Sequence, residues 1–267
     1  MGEPARVKLG QGRQAEVFEY GDQKALKLFY PGTPLHVVEH ERNVSRVINE
    51  FDLPTPRTYE LVQDEGRDGI VYEKVEGPTL LKVLLADASK MAWAGELSAE
   101  LHSKMHACRS DRLPSQKASL ERRIRSAQIE EDIRDKALHA LESLPESNEV
   151  CHGDFHPDNV LLSPRGPVIL DWVNATRGNR MADFVFSALI LKVAEVPDFI
   201  PNADLFNHGR TELFKAYTKK YLQHYPASMQ EIVPWIFPVA IARLGDHIPS
   251  ERLRLLKIIS RLSRQVE

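Results

Sequence analysis

The stretch from Val150 to Trp172 constrains this chain more than any other. It reads His152-Gly153-Asp154-Phe155-His156-Pro157-Asp158-Asn159, then the apolar Val160-Leu161-Leu162, then Val168-Ile169-Leu170-Asp171-Trp172. Short apolar runs read as strands, and polar residues beside them gain nothing from packing. Asp154 and Asn159 stand five apart across a proline-containing turn, and Asp171 follows the second run. The arrangement delivers a base, an amide oxygen and a carboxylate to the mouth of a small sheet. Phosphoryl transfer needs those groups: one to orient a hydroxyl, and oxygen ligands for Mg²⁺.

Upstream, residues 5 to 30 read as strands. Ala5–Leu9 ends at Gly10-Gln11-Gly12, while Ala15–Tyr20 and Lys24–Phe29 flank a turn at Gly21-Asp22. From Leu35 to Phe51 apolar residues recur at three and four, which predicts a helix stopped by Leu53-Pro54-Thr55-Pro56. Thr58–Gln63 and Gly69–Lys74 predict a further strand pair. After Gly77-Pro78 helical patterns take over, across 79–108, 116–146 and from Ala182 onward. The expected division is a β-rich unit of residues 1–76 with one inserted helix, followed by a mainly helical unit of residues 77–267.

A chain of 267 residues, 42% hydrophobic and 27% charged, has the composition of a globular protein. Its net charge of −3 gives no general attraction to nucleic acid or to anionic membranes. No apolar run approaches the roughly 18 residues of a spanning helix, and Met1–Arg13 lacks an apolar signal core. The expectations are a cytoplasmic protein, monomer or homodimer, with neither nucleic acid nor membrane as partner. Cys108 and Cys151 lack metal-ligand spacing and read as free thiols of a reducing compartment.

Gly10-Gln11-Gly12-Arg13-Gln14-Ala15 is a glycine-rich turn followed by the strand-like Glu16-Val17-Phe18-Glu19-Tyr20. A dinucleotide fingerprint would need a helix there, and a P-loop would need Gly-Lys-Ser/Thr. Between antiparallel strands, such a loop instead makes a flap whose backbone can lie close over a triphosphate. Lys27 sits inside the apolar Ala25-Leu26-Lys27-Leu28-Phe29, where an ammonium is costly without a partner. Lys24 competes with it but lies beside the turn. Glu39 and Glu41 of the following helix are the available carboxylates, with Glu41 preferred.

In these residues the chain resembles the aminoglycoside phosphotransferase and choline kinase family, the small-molecule branch of the protein-kinase-like fold. The likeness is carried by Gly10–Phe18, Lys27, Glu41, Tyr72–Gly77, His152–Asn159, Ile169–Trp172 and Gly178–Asp183. The resemblance implies an α+β, two-lobed fold: a small antiparallel β lobe with one helix, and a larger, mainly helical lobe. It implies that Asp154 accepts or orients the acceptor's hydroxyl proton, and that Asn159 and Asp171 hold Mg²⁺. Lys27, fixed by Glu41, would bind the phosphates of ATP or GTP under the Gly10–Gly12 flap. Backbone groups from Glu73 to Val75 would meet the adenine. His152 would shape the loop, and Asp183 would anchor the local structure.

Three rivals compete with this reading. A metal-dependent hydrolase would use His152, Asp154 and His156 on one strand face. A regulatory module of the same fold would bind nucleotide without turnover, although such modules commonly lose one of Lys27, Asp154, Asn159 and Asp171. A protein kinase would need a longer segment than the twelve residues from Asp171 to Asp183. His102 and His106 form an i,i+4 pair that reads as two ordinary histidines on an amphipathic helix. The hydroxylated acceptor, antibiotic or metabolite, stays open. The carboxylates Asp198, Asp204, Glu212, Glu231, Asp246 and Glu251 and the apolar Trp235, Ile236, Phe237 and Val239 offer both characters, mostly as solvated face and core.

Overall fold

The computed structural model describes residues 6–194 and 201–264, so Ala5 and Asp198 lie outside the described residues. The chain forms two compact units, one of residues 1–79 with 159–173, the other of residues 80–158 with 174–267.

The first unit is built on an antiparallel sheet of β1 (Lys8–Gln11), β2 (Ala15–Glu19), β3 (Lys24–Phe29), β4 (Thr58–Asp64) and β5 (Arg67–Glu73), in the order β1-β2-β3-β5-β4. Helix α1 (Leu35–Ile48) lies between β3 and β4 in sequence. Alternation along β3 sends Leu26 and Leu28 to one face, where they pack with Val71. Phe29 goes to the other, with Ala15, Ile70 and Val38 of α1. Lys27 is in phase with Phe29 and therefore lies on the α1 side. The structure corrects the start of the sheet: β1 runs through Gly10 rather than ending at Leu9, with a bulge between Lys8 and Gly10. A glycine within a strand is a common mark of such a bulge. The turn proper is therefore residues 12–14. Strand β5 starts at Arg67, two residues earlier than expected, because the Arg67 guanidinium donates to the Phe29 and Leu28 carbonyls and to Glu16.

The second unit opens with α2 (Leu80–Ala86), α3 (Met91–Ala107), α4 (Gln116–Ser126) and α5 (Glu131–Ser143), then strand β6 (Glu149–Cys151). The chain next enters the first unit as the hairpin β7 (Val160–Ser163) and β8 (Gly166–Ile169). This hairpin is tied there by Leu162 N–H to the Pro78 carbonyl at 2.9 Å and Ile169 N–H to the Pro54 carbonyl at 2.7 Å. Those bonds, and the bridge from Thr79 to Leu161, group residues 159–173 with the first unit although a single cut near residue 76 leaves them in the second.

The chain then returns as β9 (Thr176–Gly178), α6 (Arg180–Val193), α7 (Ala203–His224), α8 (Met229–Leu244) and α9 (Pro249–Leu262). Strand β9 pairs antiparallel with β6. It escapes sequence reading because Thr176-Arg177-Gly178 shows no apolar alternation. Helix α3 packs closely on α7 at Gly95, where a Cβ would meet the Leu213 carbonyl at 2.5 Å. Tyr217, Tyr221, Phe155 and Trp235 fill the core of this unit. Trp235, Phe237 and Val239 are buried core, and Glu231 serves in the capping box of α8 with Ser228. Asp204 and Glu212 are exposed. No helix among the described residues is long and apolar enough to cross a membrane.

Candidate active site

Within the first unit, strand β3 and helix α1 bring Lys27 and Glu41 together. The Lys27 ammonium donates to Glu41 Oε1 at 2.6 Å and to Asp171 Oδ1 at 3.3 Å. Glu41, in the second turn of α1, is buried, whereas Glu39 is exposed. Tyr72 on β5 donates its hydroxyl to the same Glu41 oxygen at 3.0 Å. Burial, with the Glu41 charge, pushes that phenol well above its ordinary range. Burial alone would lower the Lys27 amine, but the Glu41 and Asp171 carboxylates outweigh it and raise the amine instead. Lys24 has gone elsewhere, to Glu60 at 3.8 Å.

Asp171 is the residue that follows the β7–β8 hairpin and Leu170. Its φ is +59°, a left-handed conformation uncommon outside glycine. Asn159 ends a short 3₁₀ turn directly before β7, and its carbonyl accepts the Leu170 N–H at 2.9 Å. The hairpin register thus sets Asn159 and Asp171 at its shared base. Trp172 seats the turn by donating its indole N–H to the Ile169 carbonyl at 3.2 Å. A carboxylate and an amide are hard oxygen donors, the kind Mg²⁺ takes.

Gly10 and Gly12 lie at the β1–β2 end of the same unit. A Cβ on Gly10 would meet nothing within 4 Å, so packing within the chain does not explain the absence of a side chain there. Gly12 N–H closes the turn on the Ala15 carbonyl at 2.8 Å. Ala15, the residue in the third glycine position, is buried in the sheet core, which explains a Cβ there. Glu73 sits at the end of β5 with its carboxylate on Arg165 at 2.5 Å, and its backbone N–H bonds Arg57. Val75 lies half-buried two residues on.

Asp154 belongs to the second unit, on an irregular loop after β6. Gly153 has φ +76°, and a Cβ there would meet the Asn174 carbonyl at 2.6 Å. Only glycine suits both conditions. The loop hangs from Asp183 of α6, whose buried carboxylate accepts the His152 N–H at 2.6 Å and the Gly153 N–H at 2.8 Å. His102 and His106 of α3 add Nε2–H donors at 2.9 and 3.2 Å. The carboxylate fixes both tautomers, so each Nδ1 accepts a hydroxyl, from Tyr217 at 2.7 Å and Tyr221 at 2.6 Å. The pair is therefore part of a buried hydrogen-bond network rather than two ordinary histidines on an amphipathic helix. Burial would raise the Asp183 carboxyl, but the two imidazoles hold it well below its ordinary range.

Arg243 of α8 donates to Asp154 Oδ1 at 3.1 Å, and His156 Nε2 lies 3.7 Å from Oδ2. Burial opposes ionisation of Asp154, yet His156, then Arg243 and His152, hold it well below the usual carboxylate range. The hydrolase reading fails here. Residues 152–156 form no strand, because Gly153 turns the chain, and His152 is buried against Phe155. Among the described residues, the His/Asp group that converges is His102, His106 and Asp183, whose atoms already satisfy one another.

Fold and family match together mark the chain as a small-molecule kinase. The model of the phosphotransferase enzyme family matches residues 7–231, and the chain belongs to that family. Solved structures agree on the fold. One similar structure is an aminoglycoside-3'-phosphotransferase of type VIII (21% identity, 91% of this chain and 93% of that one, TM-score 0.62). Another is a thermostable mutant of APH(4)-Ia in ternary complex with AMP-PNP and hygromycin B (13%, 97% and 93%, TM-score 0.64). A third is the streptomycin–ATP–APH(2'')-IIa ternary complex (16%, 98% and 91%, TM-score 0.55). No curated protein matches the sequence. Sequence reading did not single out Tyr72 or Arg243. The one signal available for Tyr72 was its phase on β5, opposite Ala25 and one residue from the pairing partner of Leu26.

Proposed function

We propose that this enzyme moves the γ-phosphoryl group of ATP, or of GTP, to a hydroxyl of a small molecule. The observation that carries the reading is the Lys27 ammonium held between Glu41 and Asp171, residues 14 and 144 positions away in sequence. In this reading Lys27 binds the nucleotide's phosphates, with Glu41 and Tyr72 holding its ammonium in place. Asp171 and the Asn159 amide oxygen would hold Mg²⁺, which when bound offsets charge on the transferring group. Gly10 and Gly12 let the backbone lie near the phosphates, and the Glu73–Val75 backbone meets the base. Asp154 orients the acceptor hydroxyl and receives its proton late, as suits a loose transition state and a carboxylate of depressed proton affinity.

The neighbours in complex with hygromycin B and streptomycin support a hydroxylated acceptor; antibiotics and metabolites of that kind are the compounds to screen, reading nucleoside diphosphate release. The thiols of Cys108 and Cys151, neither of them in a disulfide, suit the cytoplasm, where the nucleotide is supplied. Asp154→Ala should lower turnover by about 10²–10⁴-fold, the worth of a positioned base, while Mg·nucleotide still binds. Asp171→Ala should remove the metal dependence of nucleotide binding. An Asp154→Ala protein that retains most of its turnover would refute the assignment.

A further inference from the structure

Arg243 is a cation of the second unit engaged by three carboxylates. It sits in the last turn of α8, with its side chain 7% exposed. Nε donates to Glu251 Oε2 at 2.7 Å and Nη2 to Glu251 Oε1 at 2.8 Å. This is the bidentate fork that fixes a guanidinium in plane and direction. Glu251 lies in the first turn of α9, buried to 3% side-chain exposure. With the fork engaged through Nε and Nη2, the two N–H bonds of Nη1 are left on the opposite side of the guanidinium. They point to Asp154 Oδ1 at 3.1 Å and Asp246 Oδ2 at 3.3 Å. The Phe186 ring lies 5.6 Å from the guanidinium carbon on α6.

The surrounding charges keep that direction. Arg123 of α4 lies 3.6 Å from the other oxygen of Asp246 and donates to the Gly153 carbonyl at 3.4 Å. Asp246 thus has Arg123 as a second cation on its other oxygen, and Arg243 is shared among Glu251, Asp154 and Asp246. A carboxylate on an irregular loop has two free torsions; a guanidinium locked from a different helix removes that freedom on the side it touches. A purely structural pair would have no need to end on Asp154.

We infer that Arg243, aimed by Glu251, is a positioning residue for Asp154, setting the direction of the carboxylate that meets the acceptor hydroxyl. The inference rests on the role of Asp154 proposed above. Among the groups facing Asp154 are Arg243 and Asp246 from the α8 end, with His156 and His152 from its own loop. Glu251 of α9 acts through Arg243, and Arg123 of α4 through Asp246.

The test uses the full chain with ¹³C-carboxyl aspartate, the Asp154 signal being assigned by its loss in Asp154→Asn. Arg243→Met alone strands a buried glutamate and can unfold the protein, so Arg243→Met is paired with Glu251→Met. Folding is confirmed by the thermal midpoint. In wild type the Asp154 signal should stay flat from pH 8 to about 4, the ordinary aspartate range. In Arg243→Met/Glu251→Met its midpoint should rise far enough for a titration step to enter that window. Arg243→Lys, which keeps the charge, should bring it back down, while His156→Gln leaves the Arg243 contact in place and serves as comparator. In parallel, nucleoside diphosphate release from Mg·ATP with water as acceptor should fall about tenfold in kcat, with KM for Mg·ATP within about twofold.

An Asp154 midpoint unmoved in the folded double variant would overturn the positioning role, even with Asp154→Ala inactive. A midpoint that moves while Asp154→Ala hydrolyses Mg·ATP like wild type would instead leave the clamp standing and remove Asp154 from the reaction.

Discussion

Replacing Asp183 by asparagine isolates what one buried carboxylate contributes to the loop that carries Asp154. Oδ2 accepts from His152 N–H, His102 and His106 at 2.6, 2.9 and 3.2 Å, and Oδ1 from Gly153 N–H at 2.8 Å. An asparagine has one oxygen. Turned toward the three donors, it keeps their bonds and sets its own NH₂ against the Gly153 N–H. One stranded buried donor costs about 1–3 kcal/mol, and each retained bond to a neutral acceptor loses up to about 1 kcal/mol against the ionised one. The sum is about 4 kcal/mol, within the roughly 3–5 kcal/mol seen when buried pairs are broken. For a unit of this size that lowers the thermal midpoint by about 8–16 °C. Asp183→Ala strands all four donors and should leave little folded protein. Urea unfolding read by tryptophan fluorescence, at unchanged slope, measures the difference. A folded Asp183→Asn protein within about 1 kcal/mol of wild type would refute the anchoring argument.

Burial, then the neighbouring His102, holds the His106 imidazole down to about 4. The unfolded chain takes up a proton near pH 6.5 that the folded one refuses, so stability is complete above that pH and falls as pH drops toward 4, by up to about 1.4 kcal/mol per unit. His106→Gln should flatten that slope in urea titrations at pH 7.5, 6 and 5; equal slopes would contradict it. Lys27→Met should weaken Mg·nucleotide binding about tenfold or more, one charge-assisted phosphate contact, in a fluorescent-nucleotide titration, and Glu41→Gln less, because its amide can still bond Lys27. Undiminished affinity in Lys27→Met would count against the phosphate role. Gly95→Ala sets about 1 kcal/mol of helix propensity against overpacking on the Leu213 carbonyl and Tyr217 N–H worth about 1–3 kcal/mol; calorimetry should show a lower midpoint, and a rise would mean that α7 yields.

Local chemistry was readable wherever cost could be judged from neighbours in the chain. An ammonium inside an apolar strand demands a carboxylate, and phase along α1 favours Glu41 over Glu39; the Lys27 ammonium lies 2.6 Å from Glu41. Arg243 and Glu251 were opaque for the opposite reason. Their meaning depends on Asp154, 89 positions from Arg243, and seven residues of ordinary helix-end sequence separate them from each other. Glu251 could be weighed only as one charge among several on a solvated face. His102 and His106 misled in a similar way: i,i+4 spacing gives the face they share, while the buried carboxylate opposite them comes from α6. The bulge through Gly10 and the three-residue β9 are set by pairing with other strands, which spacing along one strand does not encode.

Asp171 answers to two requirements at once, a backbone twisted to φ +59° and a negative charge on Lys27. Single-base changes in an aspartate codon reach asparagine and glycine, which accept the twist but discard the charge. They also reach glutamate, which keeps the charge but not the tolerance for the twist. Every mutational step away from this position therefore gives up one requirement, making it an isolated optimum in sequence space with no neutral path leading off.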